Sequence, residues 1–261
     1  LALPLIYYLF QQSRHRLIRW GFLGGRVLVA LAIAGSGSRG GFIALAVVLG
    51  WLVMTSRKRW SALVLVAILA LLFFNLAPAE WFNRLSTIED AGEDASFMGR
   101  VIAWKVSSAM ALSNPIFGGG FHAVQVQGIW DQFKAAPGLL GFLNLPIPEF
   151  SAKAAHSIYF EVMGDMGFVG LFIFMAILLH ALRSRFVIKR QLHSMGPQWL
   201  WARDMADMLM LGIVAYMAGG AAVSLAYFEV IYMVVMLMEM LRLHVARAVV
   251  AARSVPQKRG L

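Results

Sequence analysis

Apolar runs approaching bilayer length, punctuated by clusters of arginine and lysine, constrain this chain more than any other feature. The runs cover residues 18–35, 41–54, 62–76, 158–182, 208–224 and 227–241. A helix crosses the hydrocarbon core with about 20 apolar residues. A membrane strand would alternate apolar and polar positions, and these runs are continuous. The composition agrees: 60% of residues are hydrophobic and 14% charged, against about 25% charged in a soluble domain. The expected class is therefore all-α: a polytopic transmembrane helix bundle of about six spans, with a further helix remnant at residues 1–10.

The basic clusters set the sidedness. Arg14, Arg16 and Arg19 form one, Arg57, Lys58 and Arg59 a second, and Arg183, Arg185, Lys189 and Arg190 a third. Short loops rich in arginine and lysine face the cytoplasm. Residues 77–155 form a long loop whose acidic groups outnumber its basic ones, which suits the opposite face. Residues 242–261 read as a basic cytoplasmic tail that can touch anionic lipid. The net charge of +10 sits at span ends and not on one soluble face, so nucleic acid is not an expected partner. Cysteine is absent, which removes disulfides and thiolate metal sites. The first apolar run starts at Leu1, is too short to span and lacks a basic leader, so it is not a signal peptide. It reads as the end of a helix begun earlier, and residues 1–261 as the C-terminal part of one integral membrane domain.

Local signals refine this. Arg26 interrupts the 18–35 run; a charge there is costly and often functional, or snorkels to the nearby basic end. Residues 35–41, Gly-Ser-Gly-Ser-Arg-Gly-Gly, break the helix at the outer face. Within the long loop, Ser96 can cap a helix over 97–113, and Asn114-Pro115 ends it. Phe117-Gly118-Gly119-Gly120-Phe121 follows as a flexible break, and 130–153 is loop-like, with Pro137, Pro146 and Pro148 as breakers. Gly164, Gly167 and Gly170 permit close helix contact. Residues 198–207, with Trp199 and Trp201, look interfacial, and 208–241 form a closing hairpin.

The pattern brings Arg39, the long loop and His156 to one face. His156 stands where the loop enters the 158–182 helix. Its imidazole titrates near neutrality and can take a proton from a hydroxyl, or it is simply satisfied at the interface. Arg39, between glycines, offers a donor fork for phosphate oxygens and glycine amides that can form an anion nest, or it anchors lipid headgroups. Arg100, with Trp104 four residues on, either meets an anion or stacks on the indole. Tyr159 and Phe160 can share the face of His156. Glu161 and Asp165 point elsewhere and suit helix or loop contacts. No metal-ligand spacing is present, His122 stands apart, and Gly118–Gly120 lacks the context of a nucleotide loop.

Three pieces in this order resemble the O-antigen ligase and polymerase superfamily: Ser38-Arg39-Gly40-Gly41; Gly99-Arg100-Val101-Ile102-Ala103-Trp104 with Asn114-Pro115-Ile116-Phe117-Gly118-Gly119-Gly120; and Ala155-His156-Ser157-Ile158-Tyr159-Phe160-Glu161 through Asp165-Met166-Gly167. The second and third pieces look closest to the O-glycosylation ligases of exosortase A systems. Ser157 stands where many members have Asn, and Asp165 where Glu is usual.

The resemblance implies a multi-pass enzyme of the bacterial inner membrane, active on the periplasmic side, with residues 77–155 as a periplasmic loop. It would transfer a glycan from a polyprenyl diphosphate carrier to an acceptor hydroxyl on lipid, protein or polysaccharide, with no metal and no cofactor. Arg39 and Arg100 would grip the diphosphate and His156 would act as base. Ser38, Gly40, Gly118, Gly119, Gly120 and Tyr159 would contact substrate. Direct attack would invert the anomeric centre. A polysaccharide polymerase of the same superfamily, a polysaccharide or lipid transporter, and a scaffold of secretion machinery are the alternatives.

Overall fold

A computed structural model describes residues 1–56, 95–145, 147 and 151–254, with single positions at 60, 63, 64, 67 and 71. Every regular element among these is helical. In chain order they are α1 (Ala2–Gln12), α2 (Arg16–Gly35), α3 (Arg39–Thr55), α4 (Ala95–Ser113), α5 (Gln127–Phe133), α6 (Ile158–Gln191), α7 (Leu200–Gly220) and α8 (Glu229–Ser254). Among the described residues, α2 and α6 are long and apolar enough to cross a membrane; α3 is apolar but shorter. The span expected at 62–76 and the loop start at 77–94 lie outside the described residues, apart from the single positions at 63, 64, 67 and 71.

The elements differ from the sequence pattern in four places. α6 does not end at 182 but continues to Gln191. Pro197 opens a short 3-10 turn, Pro197–Trp199, and from Leu200 the interfacial segment and the next span merge into one helix, α7, because no glycine or proline between 200 and 208 breaks it. α8 runs through the basic tail as far as Ser254, so the described part of that tail is helical. The helix expected from 97 spans Ala95–Ser113, leaving Ser96 inside its first turn, and part of the expected loop at 130–153 is α5.

The chain falls into two compact units. One comprises Leu1–Gly35, Ala176–Tyr216 and Phe228–Leu261. Here α1 packs on α2, and Arg26 lies over the rings of Phe10 (4.1 Å) and Tyr7 (5.6 Å). Its charge is thus met by aromatic faces from the neighbouring helix. Arg185 and Lys189 bind Asp207 at 2.7 and 3.3 Å, and Arg242 binds Glu239 at 2.6 Å. Ser184 and His180 also reach Glu239.

The other unit comprises Ser36–Met175 and Met217–Tyr227. Its core is built on α4, from Ile102, Ala103, Val106 and Met110 against Ala123, Val124, Trp130 and Ala155. α4 approaches α6 closely because Gly164 has no side chain: a Cβ there would lie 2.9 Å from that of Ser107. α6 is interrupted at Gly167, whose φ 67, ψ −167 is available essentially to glycine alone. The interruption frees backbone groups, and residues 114–120 take them up. Gly119 N–H donates to the Gly164 carbonyl (2.8 Å) and Gly120 N–H to that of Asp165 (3.0 Å), while Phe168 N–H donates to the Pro115 carbonyl (2.8 Å). A kink is sustained when freed groups find such partners. Gly118 (φ 64) presses so close that a Cβ would sit 2.6 Å from the Gly164 oxygen.

Candidate functional site

The loop entering α6 is held from both sides at His156. The Trp104 indole donates to the Ala155 carbonyl at 2.6 Å, and the same ring stacks on Phe160 at 5.1 Å, 7° from parallel. The His156 amide donates to Ser224 Oγ at 2.8 Å. Between these ties His156 adopts φ 46, a left-handed conformation. That costs an L residue about 1–2 kcal/mol, so surrounding bonds must hold it. Ala155 and Ser157 are buried while His156 is exposed. The backbone is fixed and the imidazole is presented.

Charges approach that imidazole from two segments. Although the residue is exposed, neighbouring atoms exclude enough water to hold the imidazole below its ordinary range, and the positive charges of Arg100 and Lys153 push the same way. Arg100 comes from the first turns of α4. Lys153 crosses Gly99 next to it: a Cβ on Gly99 would lie 3.1 Å from Nζ. The result at neutral pH is an uncharged imidazole beside two cations. The folded protein thus binds fewer protons here than the unfolded chain, so this group's contribution to stability rises with pH and is lost on acidification.

Arg39 opens α3. Ser38 caps that helix through its Oγ, which accepts from Gly41 N–H at 3.2 Å. Gly40 is buried against residues 219–223: a Cβ would lie 2.5 Å from the Gly219 oxygen and 3.4 Å from the Val223 side chain. The turn between α7 and α8 therefore meets the start of α3, and through Ser224 it also meets His156. It holds α6 as well. Tyr159 Oη donates to the Met217 carbonyl (2.8 Å), Ala226 N–H to Glu161 (3.0 Å) and Tyr227 Oη to Asp165 (2.9 Å).

Of the residues expected to act together, Arg100 acts electrostatically on His156; of Arg39, the backbone beside it at Gly40 packs on the 217–227 turn that also bonds the His156 amide. Ser38 Oγ, Tyr159 Oη and the amides of Gly118–Gly120 are placed otherwise: their hydrogen-bonding groups hold backbone. Gly118 N–H, for example, donates to the Asn114 carbonyl at 2.8 Å. Glu161 and Asp165, 3% and 2% exposed, make the loop contacts expected of them. The sequence pattern did not single out Lys153, the Trp104 tie or the 217–227 turn. Lys153 alone had a visible signal, a cation three residues before the histidine. Among the described residues no group of three His, Asp or Glu could hold a metal ion.

The O-antigen ligase family model matches residues 24–175, more than half of the chain. The chain belongs to the O-antigen ligase family. No curated protein and no solved structure matches it. In this O-antigen ligase family member, Arg39, Arg100, Lys153 and His156 all fall inside the matched stretch, while the turn that ties Gly40, His156, Glu161 and Asp165 together lies beyond it.

Proposed function

We propose that this O-antigen ligase family member transfers a glycan from a polyprenyl diphosphate to an acceptor hydroxyl at the periplasmic face of the bacterial inner membrane. The observation that carries the reading is the exposed imidazole of His156, on a fixed backbone and subject to the charges of Arg100 and Lys153. Arg100, Lys153 and Arg39 bind the diphosphate, and Arg39 adds the N-terminal end of α3. As the acceptor oxygen bonds to the anomeric carbon, the bond from that carbon to the diphosphate oxygen breaks. The leaving diphosphate keeps the electron pair, and the fixed cations offset its charge. The acceptor proton passes to His156 and then to water. One displacement inverts the anomeric centre. Cations supplied by side chains let the reaction run without a metal. The six-span topology and the kinship with exosortase A-associated ligases belong to the same proposal.

The test is a transfer assay with full-length protein, donor and acceptor, reading product by mass spectrometry and its anomeric configuration by NMR. Wild-type turnover in the Arg39→Ala, Arg100→Ala and His156→Ala enzymes together would remove the site, and retention of configuration would exclude a single displacement.

Two finer outcomes are expected. Lys153→Met removes one of the charges acting on His156, so the acidic limb of the kcat/KM profile moves to higher pH; an unmoved limb would separate Lys153 from the imidazole. Trp104→Phe keeps the stack on Phe160 and loses the bond to Ala155. Turnover should fall about 10- to 100-fold through misplacement of His156, with a stability loss of only about 1–3 kcal/mol. Parallel measurement of kcat and thermal unfolding checks this.

A further inference from the structure

The geometry points to a pyranose-binding subsite formed by Phe121, His122 and Tyr227, a site for a sugar ring of the donor glycan or of an acceptor saccharide. This rests on the transferase reading but is carried by separate observations. The ring of Phe121 meets that of His122 at 4.1 Å, edge to face, and that of Tyr227 at 4.7 Å. His122 and Tyr227 are perpendicular at 5.7 Å. Phe121 is nevertheless 64% exposed, and the His122 side chain 43%.

An exposed cluster normally needs no buried support, and this one has it. Asp165 accepts from His122 N–H (2.9 Å), from Ala123 N–H (3.2 Å) and from Tyr227 Oη (2.9 Å). A carboxylate that is 2% exposed thus fixes both the backbone of His122, at φ 54, and the phenol of its neighbour. Burying a carboxylate is costly unless its bonds are satisfied. Here those bonds hold aromatic side chains against each other while they remain open to water. Gln125 Nε2 lies 3.1 Å from His122 Nδ1. With the amide as donor to Nδ1, the ring proton sits on Nε2.

Aromatic carbon faces beside a ring N–H match the chemistry of a pyranose, whose C–H face is apolar and whose rim carries hydroxyls. The position suits the reaction too. Tyr227 follows Ser224, which binds the His156 amide, by three residues, a span of at most roughly 11 Å. The cluster and the backbone that presents His156 are thus tied to the same short turn.

The test uses full-length protein with Phe121→Ala, Phe121→Trp and His122→Ala variants. Phe121→Ala and His122→Ala should raise KM for one glycosyl substrate about tenfold or more, with kcat within about threefold. Inhibition by inorganic pyrophosphate should not change, and Phe121→Trp should restore wild-type KM. A rise confined to donor KM assigns the subsite to the donor glycan, and one confined to acceptor KM to the acceptor. Unchanged KM for both substrates in active, folded Phe121→Ala and His122→Ala enzymes would overturn the proposal. Saturation-transfer NMR with the host's free surface oligosaccharide reads binding without turnover. If wild type transfers nothing but loses oligosaccharide signal on Phe121→Ala, the subsite stands and the transferase reading falls. Equal signal in wild type and both alanine variants, or none in any of them, overturns the subsite.

Discussion

His156→Ala is expected to slow glycan transfer about 10²- to 10⁴-fold, the usual worth of a positioned general base. The fold should survive, because the ties that hold this position use main-chain atoms. The Ala155 carbonyl still accepts from Trp104, and the residue-156 amide still donates to Ser224. Alanine can also occupy the left-handed conformation at the cost histidine already bears, so thermal unfolding should move little. KM for the donor should stay within a few-fold, since Arg39, Arg100 and Lys153 remain. Loss of donor binding with unchanged turnover of bound substrate would give His156 a binding role in place of a proton-accepting one. His156→Gln, which keeps a hydrogen-bonding side chain without basicity, should be nearly as slow as the alanine enzyme.

Gly167→Ala is expected to cost about 2–6 kcal/mol of stability, combining about 1–3 for the backbone region with about 1–3 for overpacking. The added Cβ would lie 2.5 Å from the Pro115 carbonyl oxygen, and both partners are backbone. Relief requires residues 114–120 to withdraw from α6, breaking the bonds of Gly119, Gly120 and Phe168. The loop carries Phe121 and His122, so activity should fall with stability. Gly120→Ala is the control. Its φ is 95 but nothing lies within 4 Å, so only backbone strain is added. Thermal unfolding in detergent should rank Gly167→Ala well below Gly120→Ala; equal losses would show that strain alone, and not the close approach, decides the effect.

Local rules reached the helix break within 35–41, the end of α4 near Asn114-Pro115 and the entry to α6 at residue 158. Each is set within a few residues by glycines, a proline or a change in apolar content. The same reasoning placed Glu161 and Asp165 away from His156, from the angle between positions on a helix. It could not see that the glycines at 118–120 and at 164 and 167 serve one another, because their hydrogen bonds join segments far apart in the chain. Nor could it show why Gly40 matters. A glycine beside Arg39 suggests an exposed nest, whereas Gly40 is buried against Gly219. The turn after α7 carries no charge and so looks like a plain connection, yet its hydroxyl, amide and phenol groups supply the bonds. α7 and α8 reached beyond their expected limits because no breaker stops them.

The 217–227 turn has a practical consequence for anyone cutting the gene. A fragment ending at Met175 would retain the whole stretch shared with the family, with Arg39, Arg100, Lys153 and His156. It would nonetheless leave the His156 amide and the Tyr159 hydroxyl without Ser224 and Met217, and would strip Glu161 of the Ala226 amide and Asp165 of the Tyr227 phenol. Such a fragment is expected to be inert, and adding back the final two helices in the same chain is expected to revive it.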